Sequence, residues 1–157
     1  MTSNGNMWLK LGAAASFAIA LLHLVIIFIG APAYRYFRAG EEMASMAEAG
    51  SFVPALITFA IVVVFTIFGC YALSGAGVIR RLPLLLPALI VIGAIYTLRG
   101  IGAIVQIILL ISGATFLELR DLVFSSVALL TGIVHLLGTT LKWKVLKTRP
   151  GMQQPLA

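Results

Sequence analysis

The stretch PALIVIGAIYTLRGIGAIVQIILLIS, residues 87–112, decides what kind of protein this chain can form. It is almost wholly apolar, and its single charged residue, Arg99, stands near the middle. A helix needs about 20 consecutive apolar residues to cross the hydrocarbon core of a bilayer, and this stretch is longer than that. It therefore predicts a transmembrane helix that carries a charge deep in the membrane.

Three other stretches of the same character occur, at about residues 8–30, 54–74 and 122–141. The chain has 157 residues, of which 61% are hydrophobic and 10% charged, whereas soluble domains are about half apolar and about a quarter charged. So small a globule could not bury this surplus, and lipid is its natural solvent. We therefore expect a single-domain, all-α membrane protein over residues 1–157, folded as a four-helix transmembrane bundle.

The long connection between the first and second spans, residues 31–53, is predicted to hold a short helix. Met43, Met46 and Ala47 recur there at helical spacing, opposite most of the acidic residues, as in helices that lie at a membrane interface. We expect this helix on the extracytoplasmic side, over the outer mouth of the bundle, with its acids directed inward. Ser51 is placed to cap the start of the second span.

The distribution of lysine and arginine predicts the orientation of the chain. One side of the spans has seven of these residues in its flanks and the other has three, together with all five acidic residues. Cytoplasmic flanks are enriched in lysine and arginine, so the first side, with both termini and the basic tail 142–157, is predicted to be cytoplasmic. Compact loops and the absence of an N-x-[S/T] sequence suit a bacterial inner membrane. The residues assigned to the cytoplasmic side are Lys10, Arg80, Arg81, Lys142, Lys144, Lys147 and Arg149.

Arg99 is the residue on which a prediction of function depends. An arginine at the bilayer centre costs at least about 2.5 kcal/mol on insertion scales, so it should face the protein interior or a water-filled cavity. The four predicted spans contain no acidic residue, so its partner should be Glu41 or Glu42 from the outer connection, or a bound ligand. The alternative is a structural arginine that bonds to backbone carbonyls, water, Tyr96 and Gln106.

Each predicted span also has one mildly polar or small-residue face. In the third span, Tyr96 and Gln106 recur at helical intervals on the face of Arg99. Gly93 and Gly100 flank this face and would let a neighbouring helix approach closely. The corresponding faces of the other spans contain Gly12, Ser16, Ala20 and His23 in the first, Thr58, Thr66 and Cys70 in the second, and Thr131, His135 and Thr139 in the fourth.

The remaining motifs exclude more chemistry than they suggest. Two histidines and one cysteine do not make a zinc site, which takes at least three protein ligands, and no metal or cofactor is predicted. The chain has no G-x-S-x-G or P-loop sequence, so no catalytic residue is assigned. Buried histidines are more often hydrogen-bonded packing residues than ligands. With that alternative open, the predicted ligand-binding residues are Arg99, Tyr96, Gln106, His23, His135, Glu41 and Glu42.

Binding of a lipid-soluble molecule with an anionic or carbonyl group, such as a lipid, a fatty acid or a quinone, ranks first among the functions. A small anion or solute transporter or channel ranks second, because basic residues select anions in pores. A membrane enzyme ranks third, with Arg99 polarising an oxygen and His23 or Glu42 moving protons.

Membrane lipids and the lipid-soluble molecule are the expected partners. Membrane topology explains the net charge of +6, so nucleic acid is not predicted as a partner. Self-association is weakly favoured, since the spans expose much apolar surface and two of them have small-residue faces. The layout, four helices with a long outer first connection, is similar to that of several small bacterial membrane families, including the DoxX-like proteins. This similarity of layout implies no residue role.

Overall fold

The computed structural model describes residues 2–113 and 119–147, and within these ranges the chain is helical with no strand. The prediction of an all-α protein is therefore confirmed. Four of the helices are long and apolar enough to cross a membrane. The helices of the described ranges are α1 (Thr2–Ile29), α2 (Ala31–Tyr36), α3 (Glu41–Glu48), α4 (Val53–Ala76), α5 (Leu85–Ile111), α6 (Leu119–Leu141) and α7 (Trp143–Lys147).

The four long helices, α1, α4, α5 and α6, present most of their apolar surface to the outside. Between 17% and 33% of each apolar window is buried, and large side chains such as Phe28, Leu56 and Leu130 are exposed. Soluble proteins rarely expose contiguous apolar surface on this scale, whereas lipid solvates it without cost. The four helices therefore indicate an integral membrane protein.

Except at two helix starts, the long helices begin and end within two residues of the predicted span bounds. Helix α1 begins at Thr2 instead of residue 8, and α6 begins at Leu119 instead of residue 122. The start of α4 agrees with the prediction, because the hydroxyl of Ser51 accepts a hydrogen bond from the backbone N–H of Val53 at 3.3 Å. Such side-chain oxygens replace a missing partner of the first helical turn.

The chain divides into two compact units, Met1–Ala13 with Cys70–Ala157 and Ala14–Gly69. The first unit contains the start of α1, the end of α4, and helices α5 to α7. The second contains the rest of α1 and α4, with α2 and α3. Each unit is described by itself below.

In the first unit, α5 and α6 pack against each other along their length, and glycines set the distance between them. A Cβ on Gly100 would lie 2.5 Å from the backbone N and Cα of Leu129, and one on Gly93 would lie 2.6 Å from the side chain of Leu136. Close backbone approach of this kind drives helix association in lipid, where apolar burial alone gives no advantage. The prediction that Gly93 and Gly100 admit a neighbouring helix is confirmed.

The helix ends of the first unit are held by a buried lysine. Lys142 is 7% exposed, and its Nζ donates to the carbonyl oxygen of Gly75 at 2.6 Å. Burial lowers the pKa of this amine. The segment predicted as a basic tail therefore begins as packed structure, with Leu146 of α7 in a cluster with Leu9 and Leu89, and residues 148–157 lie outside the described ranges.

In the second unit, the connection predicted to hold one short helix holds two, α2 and α3. Ala44 is fully buried, and Met43 and Ala47 pack against the cluster that includes Ile26 and Tyr34. The apolar spacing thus predicted the helical segment and its buried face. Whether that segment lies on the extracytoplasmic side depends on the orientation of the chain.

The acids of this segment do not point inward, and that expectation is wrong. Arg35 bonds to both oxygens of Glu41, the shortest contact being 2.6 Å, and to Glu48 at 2.5 Å. Their hydrogen bonds with Arg35 lower the pKa of both carboxyls, and the Glu41 side chain is 70% exposed. The local arginine is a cheaper partner than a charge in the membrane, because it spares the acids desolvation.

Candidate functional site

Arg99 lies on α5 next to Gly100, where α5 approaches α6 closely. Its Nη1 donates to the hydroxyl oxygen of Ser125 at 3.2 Å, and Ser125 is only 2% exposed. The arginine itself is exposed, while its bond to Ser125 directs one arm of the guanidinium towards α6.

No carboxylate neutralises Arg99 within residues 2–113 and 119–147, where its polar contact is the neutral hydroxyl of Ser125. Glu41, one expected partner, is engaged by Arg35. Helix α6 begins at Leu119, before the predicted span 122–141, and therefore also includes Asp121. Asp121 stands one helical turn before Ser125. It has interactions of its own within the described part of the chain.

Gln106 extends the polar face of α5 in the direction of the helix C-terminus. It follows Arg99 by about two turns, or roughly 10 Å along the axis. The residue is half-buried, and its Oε1 is buried without a hydrogen-bond partner in the described ranges. Buried amide oxygens are rarely left unpaired because the loss of hydration is costly. This oxygen therefore marks a place where a donor, from water or from a ligand, would be stabilised.

Tyr96 and His135 meet on the opposite side of Arg99 along α5. Their ring centroids are 5.4 Å apart, with the planes tilted by 31°, and both residues are buried. Nδ1 of His135 donates to the carbonyl of Thr131 at 2.9 Å. In the neutral ring Nε2 is then an acceptor, and it is buried with no partner among the described residues.

Gly12 of α1 makes room for the His135 ring. A Cβ at Gly12 would lie 2.8 Å from Cε1 and 2.9 Å from Nδ1 of His135, both far inside van der Waals contact. The small-residue face predicted for the first span is buried at Gly12, Ser16 and Ala20. Gly12 is thus one point at which α1 approaches α6 closely.

The other predicted site residues belong to the second unit and have local partners there. Nδ1 of His23 donates to the carbonyl of Ile19 at 2.8 Å, and its ring packs on Phe65 with centroids 5.3 Å apart. Glu42 is exposed on α3. Among the predicted residues, the structure therefore brings Tyr96 to His135 but gives Arg99 a partner that was not predicted.

Ser125 is the residue that sequence reasoning did not assign to the site, although the sequence holds a signal for it. The buried face of α6 contains Thr131, His135 and Thr139. Continued by helical steps of three and four residues towards the N-terminus, the same face passes through Ala128 and reaches Ser125. A small hydroxyl on this face, opposite Arg99 of α5, is the missed signal.

The fold and this site define a multi-pass membrane protein with a cationic polar face on α5 and α6. Within the described ranges, no group of three or more His, Cys, Asp or Glu side chains is placed to hold a metal ion. Comparison with protein-family models, with curated proteins and with solved structures gives no match to this chain.

Proposed function

We propose that the protein binds a lipid-soluble molecule with an anionic or carbonyl group, and that Arg99 holds this group. The observation that carries the proposal is the state of Arg99. It stands inside a membrane-length helix, exposed, with a neutral hydroxyl as its polar contact among the described residues. Intramembrane charges are expensive and are retained where they serve a function. A ligand that neutralised the guanidinium would offset this expense.

The geometry suits recognition of a planar oxygen group. A guanidinium has five N–H donors in a fixed fork, and the bond to Ser125 fixes one arm while the side chain remains exposed. A carboxylate or a quinone carbonyl could accept from the other donors, and such bonds strengthen where water is scarce.

Exposure of Arg99 favours binding over transport. A pore-lining arginine would be enclosed by protein around a water-filled path. Arg99 is instead exposed on a helix that also exposes Leu98 and Ile101. This surface suits entry of a ligand sideways from the lipid.

Replacing Arg99 by leucine tests the proposal. Native mass spectrometry of the detergent-extracted parent should reveal a co-purifying small molecule, and Arg99→Leu should lose it while melting no lower than the parent. The loss follows from removal of the donors, and the stability follows because the leucine carries no charge into lipid. Arg99→Lys should retain part of the binding, since it keeps the charge but not the fork.

Two results would contradict the proposal. Retention of the same molecule by Arg99→Leu at the parent's occupancy would place the ligand elsewhere. A strongly destabilised Arg99→Leu that Asp121→Asn restores would show that Arg99 locks to that acid, since an unpaired buried charge costs about 3–5 kcal/mol.

Orientation is the second part of the proposal. The excess of lysine and arginine at the α7 end supports cytoplasmic termini in a bacterial inner membrane, with α2 and α3 on the extracytoplasmic side. In a Cys70→Ala background, an impermeant thiol reagent added to intact cells should label Glu42→Cys and not Lys147→Cys. Both positions are exposed, so access to the reagent depends on the side of the membrane. The reverse pattern would overturn this orientation.

A further inference from the structure

A pocket of about 600 Å³ lies in the first unit where α5 begins. Its walls come from the connection between α4 and α5, from the first turn of α5 and from the end of α7. Most of the walls are apolar, and two cations stand among them. The lining residues are Arg81, Leu82, Pro83, Leu84, Leu85, Leu86, Pro87, Leu146 and Lys147.

Arg81 and Lys147 give this pocket its charge. Both are exposed. Arg81 donates to the backbone carbonyls of Val145 and Leu146, so α7 is tied to the connection and the two cations are brought to one pocket. Among the described residues that line it, none is acidic. The pocket therefore presents a positive field to whatever occupies it.

Leu84 gives the pocket an apolar edge at a cost in backbone strain. Its φ is +51°, in the left-handed region that non-glycine residues rarely adopt. The side chain gains no burial in return, because it is 77% exposed. Because this backbone strain is not offset by packing within the fold, it points to an interaction outside the fold. The strained conformation holds Leu84 outward beside the two cations.

We propose that this pocket binds an anionic phospholipid. The phosphate group lies against Arg81 and Lys147, and the part of an acyl chain nearest the headgroup lies along Leu84. The pocket lies at an end of the membrane-spanning part of α5, which is the depth of lipid headgroups, and basic residues at that depth attract anionic lipids. Charge and apolar surface stand side by side, as the two parts of a phospholipid do.

This site is separate from the one at Arg99. At about 1.5 Å per residue, Arg99 lies roughly 18 Å along α5 from Pro87, which lines the pocket. One site takes a group within the membrane and the other takes a headgroup at its boundary. The inference therefore does not depend on the function proposed for Arg99.

The test compares phosphatidylglycerol with phosphatidylcholine of the same acyl chains, added to the purified full-length protein and followed by native mass spectrometry and thermal unfolding. We expect phosphatidylglycerol to bind more tightly and to raise the melting temperature more. Lys147→Gln should weaken the binding of phosphatidylglycerol roughly fivefold, which is the effect expected from the loss of one surface cation. Lys10→Gln removes an exposed charge outside the pocket and should change nothing.

Leu84→Gly separates a lipid contact from a structural one. Glycine adopts positive φ without strain, so this variant should melt no lower than the parent while its affinity for phosphatidylglycerol falls. Arg99→Leu should leave that affinity unchanged, so failure of one proposed site is distinguishable from failure of the other.

Several outcomes would overturn the phospholipid site. Equal binding of the two lipids would show that the headgroup is not recognised. Equal effects of Lys147→Gln and Lys10→Gln would show that the lipid does not bind in this pocket. Displacement of the lipid by millimolar inorganic phosphate would show a site for a free anion. A Leu84→Gly variant with lowered stability and unchanged lipid affinity would make Leu84 a structural residue.

Discussion

Replacement of Gly100 by alanine is expected to disrupt the packing of α5 on α6 more than any other single-methyl addition along α5. The new Cβ would lie 2.5 Å from the backbone N and Cα of Leu129. Backbone atoms inside a helix cannot rotate away, so the two helices must separate or shift. Overpacking of this kind costs about 1–3 kcal/mol. That exceeds the gain of up to about 1 kcal/mol that alanine brings to a helix.

The matched control is two residues away on the same helix. A Cβ at Gly102 would meet only the hydroxyl oxygen of Ser125, at 3.5 Å, which is an ordinary contact. Gly102→Ala should therefore be neutral or stabilising in the same thermal or denaturant unfolding assay. If Gly100→Ala and Gly102→Ala unfold alike, α5 and α6 do not approach at Gly100 in the membrane.

Gly100→Ala should also impair ligand binding. Arg99 precedes Gly100 on α5, and its partner Ser125 lies on α6, so a shift between the helices breaks the bond that fixes the guanidinium. We therefore expect Gly100→Ala to lose the co-purifying molecule together with stability, whereas Arg99→Leu loses the molecule alone.

The sequence predicted the long helices because a membrane span is a matter of length and polarity, which any short window reveals. The prediction placed the start of α1 too late, because it used the end of the apolar stretch as the end of the helix. The helix continues into the more polar residues before that stretch. The early turns of α1 pack instead, with Gly5 against the aliphatic part of Lys142. That contact joins distant parts of the chain, and no local pattern reports it.

The candidate site was predicted less completely, and for a physical reason. An arginine inside an apolar stretch is visible in a sequence, but its partner depends on how α5 rotates against α6. That rotation is set by the glycine contacts, so Arg99 meets Ser125 rather than an acid. Likewise, Arg35 lies close to Glu41 in the chain and forms an ion pair with it. The prediction that Glu41 could pair with Arg99 did not take this local partner into account.

Gly12→Ala is the other substitution with a large expected effect. The added Cβ would lie within about 3 Å of three ring atoms of His135. That ring is fully buried, bonded through Nδ1 to Thr131 and packed on Tyr96. These contacts oppose a turn of the ring away from Gly12, so we expect the variant to lose about 1–3 kcal/mol of unfolding free energy.

A double-mutant cycle shows whether the ring is the cause. In a His135→Ala background the space beside Gly12 is vacant, so adding Gly12→Ala should cost little and could fill part of the cavity. The coupling energy between the two positions should then be of order 1 kcal/mol or more, as for residues in direct contact. Unfolding of the four proteins in one detergent measures it. Additive effects would mean that α1 does not meet His135 at Gly12, and that the buried polar face of α6 is closed by some other element.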